Sequence, residues 1–383
     1  MTRVLYIGDP SSVHDLKWVS FFSTRPDFEA YFLVQEHEMH LITPDRKKQF
    51  GELGITVEGP IKSYSLWRFW ENHASINKIK EVIAKRKIDV VHPLFATPFS
   101  LWTRNLPVPS IITCRGSDIH VVLTSLGKGS FLKMIHGKLL LKRFQSAFEN
   151  AAAITCTSQG QLDRINSIFG TNLKAEIIRT GVNVKEIDHL EPKLKLPPIF
   201  SGKKIIFLPR YIRPIYQTEL QLKALLEIPE NLRPQLALVL VKGNRTPDSY
   251  MAKIERLLKE CGLPYHIFES LTQYEMWSMF KLGSLAIMTP KTDGTPNSAL
   301  EGMAAKCPLI LGSFQYDEDL FSDQFCRRMK TDSVDELTEL ITESIQNYPQ
   351  EKINAAFVNV SKHGNRPVEM ERLKALYLSL AEQ

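Results

Sequence analysis

Short apolar runs alternate with longer amphipathic segments along the first half of this 383-residue chain. The amphipathic segments, such as residues 76–86 and 158–169, have the period of helices. The apolar runs are typical of strands buried on both faces of a parallel sheet. They lie at residues 4–8 (VLYIG), 31–34, 40–42, 88–92 (IDVVH), 110–114 (SIITC), 152–156 (AAITC) and 175–178. Strands that alternate with helices predict a doubly wound sheet with helices on both faces.

The same pattern restarts after a proline- and lysine-rich stretch, residues 191–203 (EPKLKLPPIFSGK), which has the composition of a linker. Further strand-like runs follow at residues 205–208, 236–241, 266–268, 285–288 and 309–311. A chain this long exceeds the usual size of a single core. We therefore predict an α/β protein with two Rossmann-like, doubly wound domains facing a central cleft. Its parts are residues 1–192, a linker at 193–203, residues 204–365, and a C-terminal helix at 366–383 that packs back toward the first domain.

Composition excludes several classes of protein. The hydrophobic fraction of 43% and the charged fraction of 23% are ordinary for a globular protein. The formal charge of +6 is too small to indicate nucleic-acid binding. The five cysteines lack metal-ligand spacing, so we expect reduced thiols and no metal site. No leader pattern is recognisable, and no run reaches the roughly 20 apolar residues of a membrane span, which predicts a cytoplasmic protein.

The stretch richest in candidate chemistry is residues 289–312, TPKTDGTPNSALEGMAAKCPLILG. It follows a strand-like run and contains a helix with Thr295 as predicted N-cap and Pro296 at the first helical position. The N-terminus of such a helix binds anions. Asp293 in the loop and Glu301, on the predicted third helical turn, place two carboxylates beside it. The alternative interpretation is an ordinary core helix with two solvated acids.

Residues 293–310, DGTPNSALEGMAAKCPLI, resemble the Glu-x7-Glu signature of the retaining glycosyltransferases of family GT4, which have the GT-B fold. Asp293 stands where the family has its first glutamate. Five shorter pieces are similar to family motifs and occur in the family's order. They are residues 8–18 (GDPSSVHDLKW), 88–92 (IDVVH), 115–118 (RGSD), 180–183 (TGVN) and 207–210 (FLPR). The resemblance implies sugar transfer from a nucleotide-sugar donor of the UDP or GDP type.

The resemblance also implies roles for residues of the second domain. Arg210 would bind the donor diphosphate, Asp293 the hydroxyls of the donor sugar, and Glu301 those of the ribose. The family's second cation is a lysine, and Tyr216 stands in its place, so we expect Arg213 or Lys242 to supply that charge. The alternative is that Arg210 and Arg213 are surface charges near the linker. The remaining predicted donor-binding residues are Gly294, Thr295, Pro296 and Asn297 near the phosphates and sugar, and Phe268 and Leu271 near the base.

In the first domain, Gly8 is predicted to let the loop after the first strand approach the donor phosphate closely. Arg115 replaces the histidine of the family's turn, and an arginine cannot act as a base but can hold a phosphate or a carboxylate. This favours a same-face displacement in which the leaving phosphate takes the acceptor's proton. His14 and Asp118 are predicted on the acceptor side, and the alternative for Arg115 is a salt bridge to Asp118.

Residues 128–148 contain four lysines and one arginine among apolar residues, and no acid. This pattern is typical of a helix on an anionic membrane surface, but a core helix with solvated lysines has it too. We therefore hypothesise a retaining, metal-independent glycosyltransferase, peripheral on the inner face of the cytoplasmic membrane and without a cofactor. Its acceptor would be a glycan or a lipid-linked sugar in surface polysaccharide or glycoconjugate synthesis. The alternative is a non-catalytic, sugar-nucleotide-binding partner subunit with a degenerate site.

Overall fold

The computed structural model describes residues 1–243 and 246–382, and the chain divides into two compact units. The first unit contains Met1–Thr180 and the C-terminal segment that begins at Glu369, and the second contains Gly181–Val368. Residue 383, the last position of the predicted C-terminal helix, lies outside the described residues.

The strands of the first unit are all paired in parallel. A four-stranded sheet has the order β3-β2-β1-β4, and a three-stranded sheet has the order β5-β6-β7. A parallel bridge between Val91 and Ser110 connects the two sheets. The strands are β1 (Thr2–Ile7), β2 (Phe28–Gln35), β3 (Ile55–Ile61), β4 (Val90–Pro93), β5 (Ile111–Cys114), β6 (Ala153–Cys156) and β7 (Glu176–Ile177).

The second unit has one six-stranded parallel sheet with the order β10-β9-β8-β11-β12-β13. Counted from β8, this is the strand order 3-2-1-4-5-6 of the doubly wound dinucleotide-binding fold. The strands are β8 (Lys204–Tyr211), β9 (Leu236–Val241), β10 (Tyr265–Phe268), β11 (Leu285–Met288), β12 (Leu309–Leu311) and β13 (Arg327–Arg328).

Helices connect the strands, as parallel neighbours require. Those up to β7 are α1 (Val13–Ser23), α2 (Pro44–Glu52), α3 (Phe69–Arg86), α4 (Ala96–Phe99), a π-helix (Asp118–Leu123), α5 (Phe131–Glu149) and α6 (Gln159–Phe169). The later helices are α7 (Val184–His189), α8 (Thr218–Leu226), α9 (Asp248–Cys261), α10 (Gln273–Leu282), α11 (Asn297–Ala304), α12 (Glu318–Phe321), α13 (Val334–Gln346), α14 (Gln350–His363) and α15 (Arg366–Ala381).

Each sheet is buried on both faces, which explains the continuous apolar runs in the sequence. In β9, Leu236, Leu238 and Leu240 pack into one core layer, and the intervening Ala237, Val239 and Val241 pack into the other. The same alternation separates Val4 and Tyr6 from Leu5 and Ile7 in β1. Apolar side chains on both faces are what a strand covered by two layers of helices requires.

Two features contradict the sequence prediction, and the prediction does not include β3 (Ile55–Ile61). The strand predicted at 40–42 is wrong, because Glu36–Leu41 forms a 3-10 turn in which the side chain of Glu38 accepts a hydrogen bond from the backbone N–H of Gln35 at 3.2 Å. The division between the units also differs from the predicted boundary at 192, since Val182, Val184 and Ile187 pack in the core of the second unit. From Glu369 onward, α15 belongs to the first unit and contributes Leu373 and Tyr377, among others, to its core.

Candidate active site

The carboxyl ends of β8 and β11 lie side by side in the sheet of the second unit. The strand order reverses between these two strands, because β9 and β10 extend the sheet on one side and β12 and β13 on the other. Ligands of doubly wound sheets bind at the carboxyl edge at such a switch point. Arg210 comes from the end of β8, and the loop after β11 carries Asp293. The topology therefore brings the predicted cation and the predicted acid together.

The guanidinium of Arg210 connects three parts of this edge. Its Nη2 lies 3.0 Å from Oδ2 of Asp293, and its Nη1 donates a hydrogen bond to Oγ of Ser298 at 3.0 Å. Its Cζ lies 4.3 Å from the ring centroid of Tyr216. Burial alone lowers the pKa of Arg210, but the Asp293 carboxylate and Tyr216 raise it and prevail. Arg210 is therefore a charged, oriented cation whose present counter-ion is Asp293.

Helix α11 begins at Asn297, one residue later than predicted. The N-cap is Pro296 rather than Thr295, because Pro296 has an extended backbone (φ −72°, ψ 106°). Proline makes no side-chain hydrogen bond to the first turn, so no side chain of the N-cap competes for those backbone N–H groups. Glu301 is the fifth residue of the helix and lies in its second turn, so the predicted third turn is wrong.

Glu301 is a buried carboxylate, with 7% of its surface exposed. Its Oε1 accepts a hydrogen bond from Nε2 of Gln273 at 2.7 Å. The Arg366 guanidinium lies within the electrostatic influence of Glu301. Burial lowers the pKa of Arg366, and the negative charge of Glu301 opposes that lowering. Asp293 is also mostly buried, with 19% of its side chain exposed. The alternative interpretation of two solvated acids is therefore wrong.

Tyr316 is a residue of this edge that the sequence did not indicate. It lies in the loop after β12, next to the Asp293 loop, because β11 and β12 are parallel neighbours. Its side chain is buried, and its hydroxyl has no hydrogen-bond partner among residues 1–243 and 246–382. Burial raises the pKa of Tyr316, Asp293 raises it further, and Arg210 opposes the rise. The hydroxyl is thus a protonated, unused donor close to the ion pair.

In the first unit, the loop after β1 is organised by Asp15, which the sequence also did not indicate. A Cβ atom on Gly8 would lie 2.3 Å from Oδ2 of Asp15, so only glycine lets this carboxylate lie against the loop. Asp15 accepts hydrogen bonds from the backbone N–H of Asp9 at 2.9 Å and from Oγ of Ser12 at 2.6 Å. Its partner among charged side chains is Arg115.

Arg115 therefore pairs with Asp15, and the expected alternative pairing with Asp118 is wrong. The Asp118 carboxylate is fully buried and accepts the backbone N–H groups of Gly116 at 2.8 Å and Ala96 at 3.0 Å. Asp118 thus holds the turn in place and does not face an acceptor, which corrects its predicted role. In the described part of the chain, Nε and Nη1 of Arg115 have no hydrogen-bond partner.

Two family models match the chain. The family model described as Glycosyltransferase Family 4 matches residues 30–186, and the one described as Glycosyl transferases group 1 matches residues 193–359. Together the matches cover most of the chain, including Arg115, Arg210, Asp293 and Glu301. The chain belongs to glycosyltransferase family 4. Comparison with curated protein sequences gave no match.

Solved glycosyltransferase structures share the GT-B fold of this family 4 chain. A glycosyltransferase from Rickettsia africae has a TM-score of 0.75 at 14% identity, covering 99% of this chain and 98% of that one. HepE from Anabaena in complex with UDP has a TM-score of 0.74 at 12% identity, with 99% and 100% covered. WaaG, involved in lipopolysaccharide biosynthesis, has a TM-score of 0.64 at 12% identity, with 96% and 98% covered.

The remaining predicted donor residues of this glycosyltransferase lie around the same sheet edge. Lys242 forms an exposed ion pair with Glu269 at 3.0 Å, and the Cζ of Arg213 lies 5.8 Å from the ring centroid of Tyr211. Neither contact involves Arg210 or Asp293. Phe268 ends β10, and its carbonyl accepts the N–H of Lys242 at 2.8 Å. Leu271 is half-buried against the core.

Other predicted features have these placements. The N–H of Gly294 donates to Oδ1 of Asp293 at 2.9 Å, so this glycine helps orient the acid. His14 is exposed in the first turn of α1.

No group of three His, Cys, Asp or Glu side chains with metal-binding geometry occurs among the described residues, and the five cysteines are buried and unpaired. Within the same residues, no helix is both long enough and apolar enough to span a membrane.

Proposed function

We propose that this glycosyltransferase is a retaining enzyme that transfers a sugar from a nucleotide-sugar donor to a glycan or lipid-linked acceptor in surface polysaccharide or glycoconjugate synthesis. The observation that supports it most is the ion pair of Arg210 and Asp293 at the switch point, with the N-terminus of α11 beside it. The site offers a fixed cation and the backbone N–H groups at the N-terminus of α11 for a diphosphate, and two carboxylates, one buried and one mostly buried, for hydroxyl groups.

Donor binding would divide the ion pair between two parts of the ligand. The diphosphate oxygens would take the place of Asp293 on the Arg210 guanidinium, and Asp293 would accept hydrogen bonds from hydroxyls of the donor sugar. Glu301, oriented by Gln273, would accept hydrogen bonds from the ribose. The donor is of the UDP or GDP type. HepE, which shares the fold, has been crystallised with UDP and with UDP-glucose, so UDP-sugars are the first donors to test.

In the proposed reaction, the bond between the anomeric carbon and the diphosphate oxygen breaks while the acceptor hydroxyl attacks the same face of the sugar. The acceptor's proton goes to the leaving phosphate oxygen. Negative charge grows on the diphosphate, and Arg210 and the backbone N–H groups of α11 stabilise it there. The proposal includes no metal ion, because these groups supply the positive charge. Arg115 would hold an anionic group of the acceptor through its unused N–H donors.

Tyr216 favours a second candidate function. It occupies the position of the family's lysine, and its ring stacks on Arg210 and adds no positive charge. Among the described residues, the cation that contacts Asp293 is Arg210, and Tyr216 contributes no second positive charge beside it. A partner subunit that binds sugar nucleotides without turning them over would tolerate this loss. We place the enzyme first because Arg210, Asp293 and Glu301 are all present, the first two mostly buried and Glu301 buried.

We also propose that the protein works in the cytoplasm at the inner face of the cytoplasmic membrane. The support is the row of exposed cations at Lys128, Lys133, Lys138, Lys142 and Arg143. A lipid-linked acceptor would be presented at that surface.

Incubation with a panel of UDP- and GDP-sugars and measurement of released nucleoside diphosphate tests the enzymatic function. Release that rises when a glycan or lipid-linked acceptor is added is the expected result. Binding of a sugar nucleotide without release or transfer would contradict the enzyme and favour the partner subunit. The anomeric configuration of the product, read by NMR, tests retention separately.

A further inference from the structure

Three large aromatic side chains of the first unit are exposed within four consecutive residues. Trp67, Phe69 and Trp70 are 68%, 72% and 58% exposed, in the segment that leads from β3 into the first turn of α3. The rings of Phe69 and Trp70 lie 5.3 Å apart, centroid to centroid. Scattered surface apolar residues are normal, but a contiguous cluster of large ones marks a surface that contacts something apolar.

Helix α5 presents a second exposed apolar stripe. Its core-facing side consists of Gly137, Phe144, Ala147 and Phe148, which are buried. On the other side, Phe131 and Leu132 are 70% and 78% exposed, and Ile135 and Leu139 are also exposed. Leu132, Ile135 and Leu139 follow the spacing i, i+3, i+7 that places side chains on one face of a helix. This stripe has no covering element among the described residues of the first unit.

The two apolar clusters are parts of one surface. The ring of Trp67 lies 6.0 Å from that of His136 on α5. A groove of about 520 Å³ lies between them, lined on one side by Trp67 and on the other by Leu126, Leu132 and Ile135. We call Trp67, Phe69, Trp70 and the exposed face of α5 the aromatic–basic surface.

The charges along α5 are positive from Lys133 to Arg143; Glu149 ends the helix, and Glu71 next to Trp70 is paired with Arg68. Lys133, Lys138, Lys142 and Arg143 are exposed beside the apolar stripe. None of these four has an ion-pair partner in the part of the chain that the structure describes, and residues 119–148 contain no acid. Apolar side chains with Trp and Phe, surrounded by cations, match the boundary between acyl chains and anionic headgroups. A surface with this excess of cations complements an anionic bilayer.

We propose that the aromatic–basic surface docks the protein on an anionic phospholipid bilayer, with Trp67, Phe69 and Trp70 inserted at the headgroup boundary. This docking proposal rests on the proposed function and extends it to the surface at which the acceptor is met. The segment 62–70 follows the carboxyl end of β3, and Arg115 follows the carboxyl end of β5. All strands of the unit are parallel, so the surface and the proposed acceptor site share the carboxyl edge. A lipid-linked acceptor in the bilayer would therefore reach that edge.

Tryptophan fluorescence can report the insertion directly. The chain has five tryptophans, and Trp18, Trp102 and Trp277 are buried, so only Trp67 and Trp70 change their surroundings when the surface meets a bilayer. With vesicles of phosphatidylglycerol and phosphatidylcholine, we expect a blue shift and protection from aqueous quenchers, and none with phosphatidylcholine alone. The variant W67F/W70F should bind these vesicles but lose the shift. Failure of the wild-type emission to shift on bound vesicles would overturn insertion.

Vesicle sedimentation separates the two parts of the surface. The variant K133E/K138E/K142E should bind anionic vesicles more than about tenfold more weakly, since one cation near an anionic surface changes binding roughly fivefold. The variant W67S/F69S/W70S should also bind more than about tenfold more weakly, because it removes the aromatic side chains that insert at the headgroup boundary. The matched control is K78E/K80E/K85E, which reverses three exposed lysines of α3 and should bind closer to wild type. Equal weakening by both charge-reversal variants would contradict a local surface, and undiminished binding by the serine variant would contradict the aromatic anchor.

Donor binding distinguishes failure of this proposal from failure of the proposed function. Each variant is also tested for stabilisation by UDP and GDP in thermal unfolding, which involves the second unit. Wild-type protein that is stabilised by a nucleoside diphosphate but ignores anionic vesicles would overturn the docking surface alone. Vesicle binding without any nucleotide effect would leave the docking surface standing and count against the transferase.

Discussion

Arg210 and Asp293 form an ion pair at the carboxyl edge of the second sheet, with Nη2 and Oδ2 3.0 Å apart. Both side chains are mostly buried, and Ser298 holds the other arm of the guanidinium at 3.0 Å. When a donor binds, each member of the pair would contact a different part of it. The acid orients the cation before the diphosphate arrives, and donor binding would then exchange this contact for one between Arg210 and the diphosphate.

Replacement of Arg210 by alanine should lower turnover about 100- to 1000-fold, the usual effect of losing one preorganised group that stabilises transition-state charge. Arg210→Lys should restore only part of it, because a lysine cannot contact Asp293 and Ser298 together in the same fork geometry. The measurement is kcat and kcat/KM for the best donor. Lys253→Ala, an exposed lysine on α9, serves as the control. Turnover of Arg210→Ala equal to that of the control would contradict the role of Arg210.

Removal of the Tyr316 hydroxyl should weaken donor binding without lowering the stability of the fold. A buried, unpaired polar group costs about 1–3 kcal/mol, so Tyr316→Phe should leave the free energy of unfolding unchanged or raise it by roughly 1 kcal/mol. The same variant should raise KM for the donor, because the hydroxyl would donate to the sugar or the diphosphate. Urea unfolding and donor titration check the two parts. A loss of stability with an unchanged KM would show that Tyr316 is only structural.

The two-domain fold could be predicted because most strands are covered on both faces. A strand such as β9 must be apolar at every position, which gives a signal that does not depend on distant contacts. The loop and helix that carry Asp293 and Glu301 could be located for a similar reason, since Asp293, Pro296 and Glu301 lie within nine residues of each other. The prediction failed at residues 40–42, where the side chain of Glu38 supports a turn that apolar residues alone do not reveal.

The missed site residues depend on contacts far apart in the sequence. Asp15 meets Arg115 100 positions later, and Gln273 reaches Glu301 28 positions later. Neither residue lies in a pattern of its own, so only the arrangement of the strands reveals these pairings. For Asp118 the error was the reverse: the sequence assigned a site role to a residue whose contacts are structural. The turn at 115–118 resembles a family motif and suggested a role for Asp118 on the acceptor side, but its carboxylate is consumed by backbone N–H groups.

The pair of Asp15 and Arg115 should be strongly coupled, because the Asp15 side chain is buried and that of Arg115 nearly so. Asp15→Ala leaves a buried guanidinium without its counter-ion, and we expect it to lower the free energy of unfolding by about 3 kcal/mol. The double variant Asp15→Ala/Arg115→Met should recover part of that loss. Chemical denaturation of both single variants and the double variant measures the coupling. Strictly additive losses would contradict it.

Glu38 should make the first unit less stable as the pH rises toward neutrality. Burial raises the pKa of Glu38 from 4.5 to about 7, and Asp9 and Asp15 add to the rise. Between these values the folded chain keeps a proton that the unfolded chain has lost, so the free energy of unfolding falls as the pH rises through this window and levels off above it.

Glu38→Gln should remove this fall and raise the free energy of unfolding at alkaline pH by roughly 2 kcal/mol. Urea unfolding on both sides of the window measures it. Glu36→Gln, at an exposed neighbour paired with Lys62, is the matched control and should keep the wild-type slope. An unchanged slope for Glu38→Gln would contradict the raised pKa.

The most direct test of the donor site is the turnover of Glu301→Gln, which keeps the size of the side chain and removes its charge. The assay is release of nucleoside diphosphate from the best sugar nucleotide, with thermal unfolding of both proteins as the check on folding. We predict that the variant folds like the wild type, loses stabilisation by the nucleoside diphosphate, and turns over at least about 100-fold more slowly. Wild-type turnover and wild-type nucleotide stabilisation in Glu301→Gln would show that the donor site does not lie at Arg210, Asp293 and Glu301.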